Sequence, residues 1–249
     1  MHLPDGMSQG VFAALLATSF AGSFITVAFG IGGGALTLAV MATLVPPAAL
    51  IPTHGVIQIG SNLGRAAVTF RHIFWAALPA FTLGSVIGAG LGGSLAVSLP
   101  PAWVQIGVGG FVIWSVLGRP PKGVHNWPLT VGAISSFLTM FFGATGLFVA
   151  SFTKSLKLPR HDHVATQAAL MTVQHGVKTI AFGLLGFAFS AWWGFVIAMI
   201  GAGFLGTLAG KQLLNRLDDR KFRAALDVIL VLLSLRLIWG GISQLLAGP

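Results

Sequence analysis

Long apolar runs without a charged side chain make up most of the chain. Asp, Glu, Lys and Arg are absent from residues 6–64, 72–118, 123–153, 179–210 and 237–249. A membrane-spanning helix needs about 20 predominantly apolar residues, so these runs supply roughly eight helical pieces, and Pro and Gly residues divide them further. The pattern therefore predicts an all-α polytopic membrane protein.

The predicted elements form two similar series, each a glycine-broken hairpin followed by three transmembrane helices. In the first series the segments are 11–29, 35–45, 48–70, 74–99 and 103–117. In the second series they are 128–142, 146–152, 164–187, 191–214 and 222–246. Because the second arms of the hairpins are short, each hairpin is either re-entrant or fully spanning. We predict a first membrane repeat at 1–118, a cytoplasmic linker at 119–127 and a second repeat at 128–249.

An internal duplication explains the two series. At an offset of 113 residues, Arg65 aligns with Lys178. At the same offset, residues 88–96 (GAGLGGSLA) match residues 201–209 (GAGFLGTLA) at six of nine positions. Duplicated halves of this kind are the usual architecture of secondary transporters.

Basic loops predict opposite orientations for the two repeats, because Lys and Arg concentrate in cytoplasmic loops. The loops at 71–73 and 118–126 are basic in the first repeat, and those at 153–163 and 211–223 are basic in the second. These loops fall at opposite positions of the two series. The repeats are therefore predicted to be inverted, with the four loops in the cytoplasm and both termini in the periplasm.

Composition narrows the class of protein. Only 8% of the 249 residues are charged, all five acidic residues are Asp, and there is no Cys. A soluble domain carries about 25% charged residues, so a soluble enzyme, a disordered chain and a disulfide-stapled secreted domain are excluded. Cytoplasmic loops explain the net charge of +9 better than a nucleic-acid partner does. The common hydrolase, protease and nucleotide-binding motifs are absent, and we expect neither enzymatic activity nor a cofactor.

Two predicted helices carry polar stripes at membrane depth, where ionisable residues usually serve a function. The stripe on 48–70 contains His54, Gln58, Asn62 and Arg65. The stripe on 164–187 contains Gln167, Gln174, His175 and Lys178. At helical spacing each set shares one face. Interhelical hydrogen bonds and snorkelling cations are the alternative explanation, but two matching stripes that both end in a cation favour a lined pathway.

The charge of the stripes indicates an anionic substrate. No acidic residue lies in the central turns of any predicted span. We expect Arg65 and Lys178 to neutralise the charge of the substrate, and His54 and His175 to gate the pathway or couple protons. The amides of the stripes are expected to bond the substrate's oxygens; they are Gln58, Asn62 and Gln174.

The glycine turns of the hairpins offer a second anion-binding element. Free N–H groups at a helix start, together with the positive end of the helix dipole, attract an anion. Such helix starts are predicted at Gly32, Gly33 and Gly34 in the first repeat and at Thr145 and Gly146 in the second. Tight helix packing is the alternative role of these glycines.

Segments of both halves resemble a known family. Residues 29–65 (FGIGGGALTLAVMATLVPPAALIPTHGVIQIGSNLGR) resemble the first-repeat signature of the TauE/SafE sulfite exporter family, also called the toluene-sulfonate uptake permease family. Residues 141–150 (FFGATGLFVA) and 165–178 (ATQAALMTVQHGVK) resemble its second repeat. The resemblance implies a transporter of sulfite, sulfoacetate or a similar sulfur-containing oxyanion or organosulfonate in the bacterial inner membrane. Alternating access between inverted repeats is the expected mechanism.

Two other classes stay open. A passive anion channel would use the same polar stripes without coupling. A metal-handling (Ni/Co) membrane component is suggested by the opening MHLPDG, which resembles nickel/cobalt uptake subunits, although we assign no metal ligands. The expected partners are a small anionic substrate and the lipid bilayer, while proton or sodium coupling and a homodimer are left open.

A thermal-shift screen of the purified protein separates these classes. We expect an anion among sulfite, sulfate, thiosulfate, sulfoacetate and taurine to raise the Tm, because a ligand that binds only the folded state stabilises it by mass action. Stabilisation by Ni²⁺ alone would favour the metal-handling class instead.

Overall fold

The computed structural model describes Pro4 and residues 7–29, 32–96, 99–118, 127–143, 145–213 and 219–247. Residues 119–126 of the predicted linker and 214–218 of the last basic loop lie outside these ranges. The described residues form ten α-helices: α1 (Gln9–Phe29), α2 (Gly33–Leu44), α3 (Pro47–Val68), α4 (Leu78–Ala96), α5 (Pro101–Leu117), α6 (Pro128–Phe142), α7 (Gly146–Ser155), α8 (Arg160–Leu184), α9 (Trp193–Leu213) and α10 (Asp219–Leu246).

These helices confirm the predicted all-α membrane architecture. Each predicted element corresponds to one helix whose ends lie within a few residues of the prediction. Within the described ranges, four segments are long and apolar enough to cross a membrane: Gln9–Val27, Trp75–Ala96, Phe189–Gly210 and Ala224–Leu246.

The second arms of the hairpins are too short to cross the membrane alone. α2 has 12 residues and α7 has 10. These helices are about 18 Å and 15 Å long, roughly half the ~30 Å hydrocarbon layer. Each hairpin therefore pairs one long arm with one arm of half-membrane length.

One compact unit consists of the described residues of Met1–His54, Leu99–Arg119 and Ala188–Pro249. Within this unit α1 packs along α9, and α5 packs along α10. Gly206 of α9 lies against the carbonyl of Phe20, and a Cβ at Gly109 of α5 would be 2.7 Å from the carbonyl oxygen of Ser234. Small residues permit such close approach between membrane helices, whose association depends on packing rather than on the hydrophobic effect.

The other compact unit consists of the described residues of Gly55–Ser98 and Pro120–Phe187. Here α4 packs along α6, and α8 packs against α4 and α7. Gly84, Gly88 and Gly92 form the contact face of α4, since each lies against a backbone carbonyl of α6. Both units thus contain helices from both predicted repeats, because α1 packs on a helix of the second half and α6 on a helix of the first. The repeat boundaries themselves stay a prediction.

The α4–α6 and α9–α1 contacts are both lined by glycine. The glycines that make these contacts do not align with each other at the 113-residue offset. Gly88 contacts Ala133, and Gly206 contacts Phe20. Ala133 and Phe20 are 113 residues apart, whereas Gly88 and Gly206 are 118 apart. Part of this shift arises because α8, which precedes α9, has 25 residues, whereas α3, which precedes α4, has 22. The inverted orientation of the repeats stays a prediction.

Glycine breaks both hairpins at a positive φ. Gly32, which precedes α2, has a φ of 105°, and Gly143, which follows α6, has a φ of 75°. Residues with a side chain rarely adopt such values, whereas glycine adopts them at little cost. The glycine-broken hairpins predicted from the sequence are therefore present.

We expect Gly88→Ala to lower the free energy of unfolding by about 1–3 kcal/mol, because the new methyl group would overlap the carbonyl of Ala133 and push α4 away from α6. Gly90→Ala is the matched control on the same helix, since nothing lies within 4 Å of a Cβ at that position. Thermal unfolding in detergent measures both variants. Equal Tm values for the two would contradict the contact.

Candidate functional site

Helices α3 and α8 run antiparallel and bring parts of the two polar stripes into one unit. Near the start of α3, a Cβ at Gly55 would lie 2.7 Å from Cε of Lys178 on α8. Near the end of α3, Ala66 packs in one buried cluster with alanines at the start of α8, among them Ala165 and Ala169. Glycine and alanine line the two places where the helices meet.

Lys178 is the deepest charge in this unit. Its side chain is 0% exposed, and its Nζ has no hydrogen-bond or ionic partner among the residues that the structure describes. Removing an ammonium group from water is costly unless another group compensates its charge. Lys178 is therefore the strongest attraction for an anion in this unit.

Gln174 ties the start of α7 to α6. Its Nε2 donates to the backbone carbonyl of Ser135 over 3.1 Å and to Thr145 Oγ1. Thr145 Oγ1 donates to the same carbonyl over 3.0 Å instead of capping α7, and Gly146 at the helix start faces Met171 of α8. The stripe of α8 and the second glycine turn therefore meet at one place.

His175 follows Gln174 on α8 and is also fully buried. Its position therefore agrees with the predicted stripe. Nothing in its placement tests the predicted role in gating or proton coupling.

Arg65 lies away from Lys178. It occupies the last turn of α3, where a cation also stabilises the helix dipole, and its Nη2 donates to Asn62 Oδ1. Asn62 Nδ2 in turn donates to the backbone carbonyl of Gln58 over 2.7 Å. Lys178 lies beside Gly55, whereas the guanidinium of Arg65 bonds Asn62, which is seven residues or about 10 Å further along the axis of α3. The structure does not bring Arg65 and Lys178 onto one small anion.

The first glycine turn and His54 form a contact within the other unit. His54 is fully buried, and its Nε2 lies 3.2 Å from the carbonyl oxygen of Gly34. Since a carbonyl only accepts, Nε2 is the donor. Gly33 lies against the backbone of Gly22 in α1. This glycine turn therefore packs helices together, which was the alternative role.

Three buried serines of this unit were missed by sequence reasoning. Ser135 and Ser136 on α6 and Ser85 on α4 are 0% exposed, and their Oγ atoms have no hydrogen-bond partner in the described part of the chain. The only signal was a Ser-Ser pair within the apolar helix PLTVGAISSFLTMFF. Serine is too common at ordinary packing contacts of membrane helices for that pair to identify a site.

A surface contact joins the turn after α3 to the start of α8. His72 Nδ1 lies 2.7 Å from Asp162 Oδ1, and the rings of His72 and His161 are 5.6 Å apart. Exposed pairs of this kind contribute little to stability. The described residues contain no group of three side chains that could hold a metal ion, so the metal-handling alternative gains no support from them.

Comparison with known proteins gives one match. The family model described as Sulfite exporter TauE/SafE matches residues 14–237, nearly the whole chain. The comparison with curated proteins and the comparison with solved structures gave no match. The family match agrees with the resemblance of the two glycine-rich segments.

We expect Thr145→Val to lower the free energy of unfolding by about 1–3 kcal/mol, because it removes the hydroxyl that bonds both Ser135 and Gln174. Thr153→Val is the matched control on α7. Thr153 is equally buried, but its hydroxyl donates only to carbonyls of its own helix. Thermal unfolding of both variants measures the difference, and a larger loss for Thr153→Val would contradict the anchoring role of Thr145.

Proposed function

The chain belongs to the TauE/SafE sulfite exporter family, and we propose that it is a secondary transporter of a small sulfur-containing oxyanion or organosulfonate, such as sulfite or sulfoacetate. The observation that carries this proposal is the buried Nζ of Lys178, which has no acceptor among the described residues. A cation in an apolar helix bundle without a carboxylate partner favours an anion as its ligand. The family is a membrane transporter family, so an enzymatic role is not proposed.

The proposed substrate site combines Lys178 and Gln174 with the start of α7. Gln174 and Lys178 are one helical turn apart on α8, so they share a face. Lys178 neutralises the charge of the substrate. The first N–H groups of α7, at Thr145 and Gly146, add donors at the positive end of a helix dipole.

Arg65, Asn62 and Gln58 are assigned a separate step in the pathway. Their distance from Lys178 argues against one shared anion, but Arg65 at the end of α3 is placed to attract an anion that is entering or leaving. His54 and His175 are assigned to gating or proton coupling, with His54 acting together with the first glycine turn at Gly34.

Alternating access is the proposed mechanism, with one inverted repeat moving against the other. The short arms α2 and α7 begin at glycine turns, which is typical of the broken helices that bind substrates in secondary transporters. We place the protein in the bacterial inner membrane, with both termini in the periplasm. A proton or a sodium ion is the proposed coupling ion.

Lys178→Met should weaken sulfite binding and lower sulfite flux into proteoliposomes by about ten- to a hundredfold, because a charge-assisted hydrogen bond is lost while the length of the side chain is kept. Arg236→Met is the matched control, since it removes an exposed cation from α10 and should keep both properties. Binding is measured by ligand-dependent thermal shift, and flux by uptake at a fixed gradient.

Wild-type flux in Lys178→Met would exclude Lys178 as the substrate-binding cation. Current that follows the membrane potential and ignores both proton and sodium gradients would favour a passive anion channel over a coupled transporter.

A further inference from the structure

The orientation of the Gln174 amide is fixed by its neighbours. The backbone carbonyl of Ser135 can only accept, so the Gln174 atom that lies 3.1 Å from it must be the Nε2 donor. Thr145 Oγ1 donates its proton to the same carbonyl and therefore accepts the second N–H of Gln174. Turning the amide by half a rotation would set two acceptors against each other. Both N–H groups of Gln174 are thus engaged within the protein.

The oxygen of the same amide is left without a donor. Oε1 of Gln174 is buried and has no hydrogen-bond partner among the residues that the structure describes. Native proteins leave few buried acceptors in this condition, because an unpaired one is unfavourable. The oxygens of a fully ionised anion cannot supply a donor, since they are acceptors themselves.

Lys178, one turn further along α8, has a donor that lacks an acceptor. Residues four apart on a helix face the same side, with about 5–6 Å between their Cβ atoms. Nζ of Lys178 is directed towards α3, where a Cβ at Gly55 would lie 3.5 Å from it, and it does not bond Oε1 of Gln174. The same face of α8 therefore carries a cation that needs an acceptor and an oxygen that needs a donor.

The charge of this face points to a monoanion. A single buried cation balances one negative charge, and a second uncompensated charge in an apolar bundle would be costly. The guanidinium of Arg65 bonds Asn62, about 10 Å along the axis of α3 from Gly55, so we assign the neutralisation of this ligand to Lys178 alone.

We propose, building on the transport function proposed above, that the site selects monoanions that carry an O–H or N–H donor of their own. Lys178 binds the ionised oxygen, and the donor of the ligand bonds Oε1 of Gln174. Hydrogensulfite meets this requirement among inorganic anions, and hydroxyl-substituted sulfonates meet it among organic ones. Sulfate, the sulfite dianion and ionised sulfoacetate carry two negative charges and no donor, which narrows the proposed substrates to hydrogensulfite and hydroxyl-substituted sulfonates. Simple alkyl sulfonates carry one charge but leave Oε1 unpaired.

Two sulfonates that differ in one hydroxyl group test this selection. Isethionate (2-hydroxyethanesulfonate) and ethanesulfonate have the same charge and the same carbon chain. We expect wild-type protein to bind isethionate about ten- to a hundredfold more tightly, because only its hydroxyl can satisfy Oε1. Equilibrium binding to the purified full-length chain measures both affinities, with sulfate as the dianion for comparison.

Gln174→Met removes the acceptor and keeps the length of the side chain. In this variant the affinities for isethionate and ethanesulfonate should become about equal, because no buried oxygen is left to accept a hydrogen bond from the hydroxyl of isethionate. The wild-type comparison does not depend on the folding of this variant. An unchanged ratio in folded Gln174→Met would overturn the assigned role of Gln174.

Failure of the inference and failure of the proposed function give different results. Equal wild-type affinities for isethionate and ethanesulfonate, or tighter binding of sulfate, would overturn the selection while leaving anion binding intact. Undiminished binding of both sulfonates by Lys178→Met would instead overturn the substrate site on which the proposed function depends.

Discussion

The ammonium group of Lys178 has to be accommodated inside a bundle of apolar helices, where an uncompensated charge is costly. The side chain fits because Gly55 of α3 leaves room for it. Hydroxyls, rather than carboxylates, supply the buried polar side chains described on the neighbouring helices α4, α6 and α7. A carboxylate partner would compensate the charge permanently and leave an arriving anion little to gain. Without such a partner, the binding of an anion also relieves the cost of burying the lysine.

A site of this kind depends on helices that keep their positions without a hydrophobic force between them. Glycine allows close backbone packing along α4, where Gly88 lets the backbone of α6 approach at Ala133. The same arrangement recurs between α9 and α1 at Gly206 and Phe20. Since α6 leads directly into the turn at Thr145, the α4–α6 contact also fixes where α7 begins. The helix start and its dipole are then presented inside the membrane, where low polarity strengthens their effect on an anion.

The sequence predicts the helices well, and the reason is physical. Each charge-free run bounded by Gly or Pro leaves few alternatives to a helix in lipid, and α6 has the predicted bounds 128–142. The separation of Arg65 from Lys178 could not be predicted in the same way. Helical periodicity determines which residues share a face of one helix, but the lengthwise alignment of α3 with α8 depends on contacts at Gly55 and in the cluster around Ala66.

Two other features could not be predicted from the sequence, for related reasons. The 113-residue offset aligns the glycine turns, but it does not align the contact glycines of α4 with those of α9. The second half has extra residues before α9, and these cannot be recognised in the sequence because they do not change the apolar pattern. The unpaired oxygen of Gln174 was also invisible, since it depends on a carbonyl of Ser135 that no side-chain pattern reveals. Residue types therefore led to the prediction of an anionic substrate, while the hydrogen-bond partners of one amide led to the proposal of a donor-bearing monoanion.

The distance between the two cations bears on how the proposed transporter would release its substrate. A pathway conducts only if each site binds well enough to admit the anion and weakly enough to let it leave. Arg65 and Lys178 on one ligand would bind it tightly from both sides, whereas the separation of about 10 Å along the axis of α3 would divide the attraction into two steps. Half-buried Arg65 at the end of α3 leaves an anion partly hydrated. Fully buried Lys178 requires the anion to exchange its water for the fixed groups of α7 and α8, and that exchange is where selection between similar anions can take place.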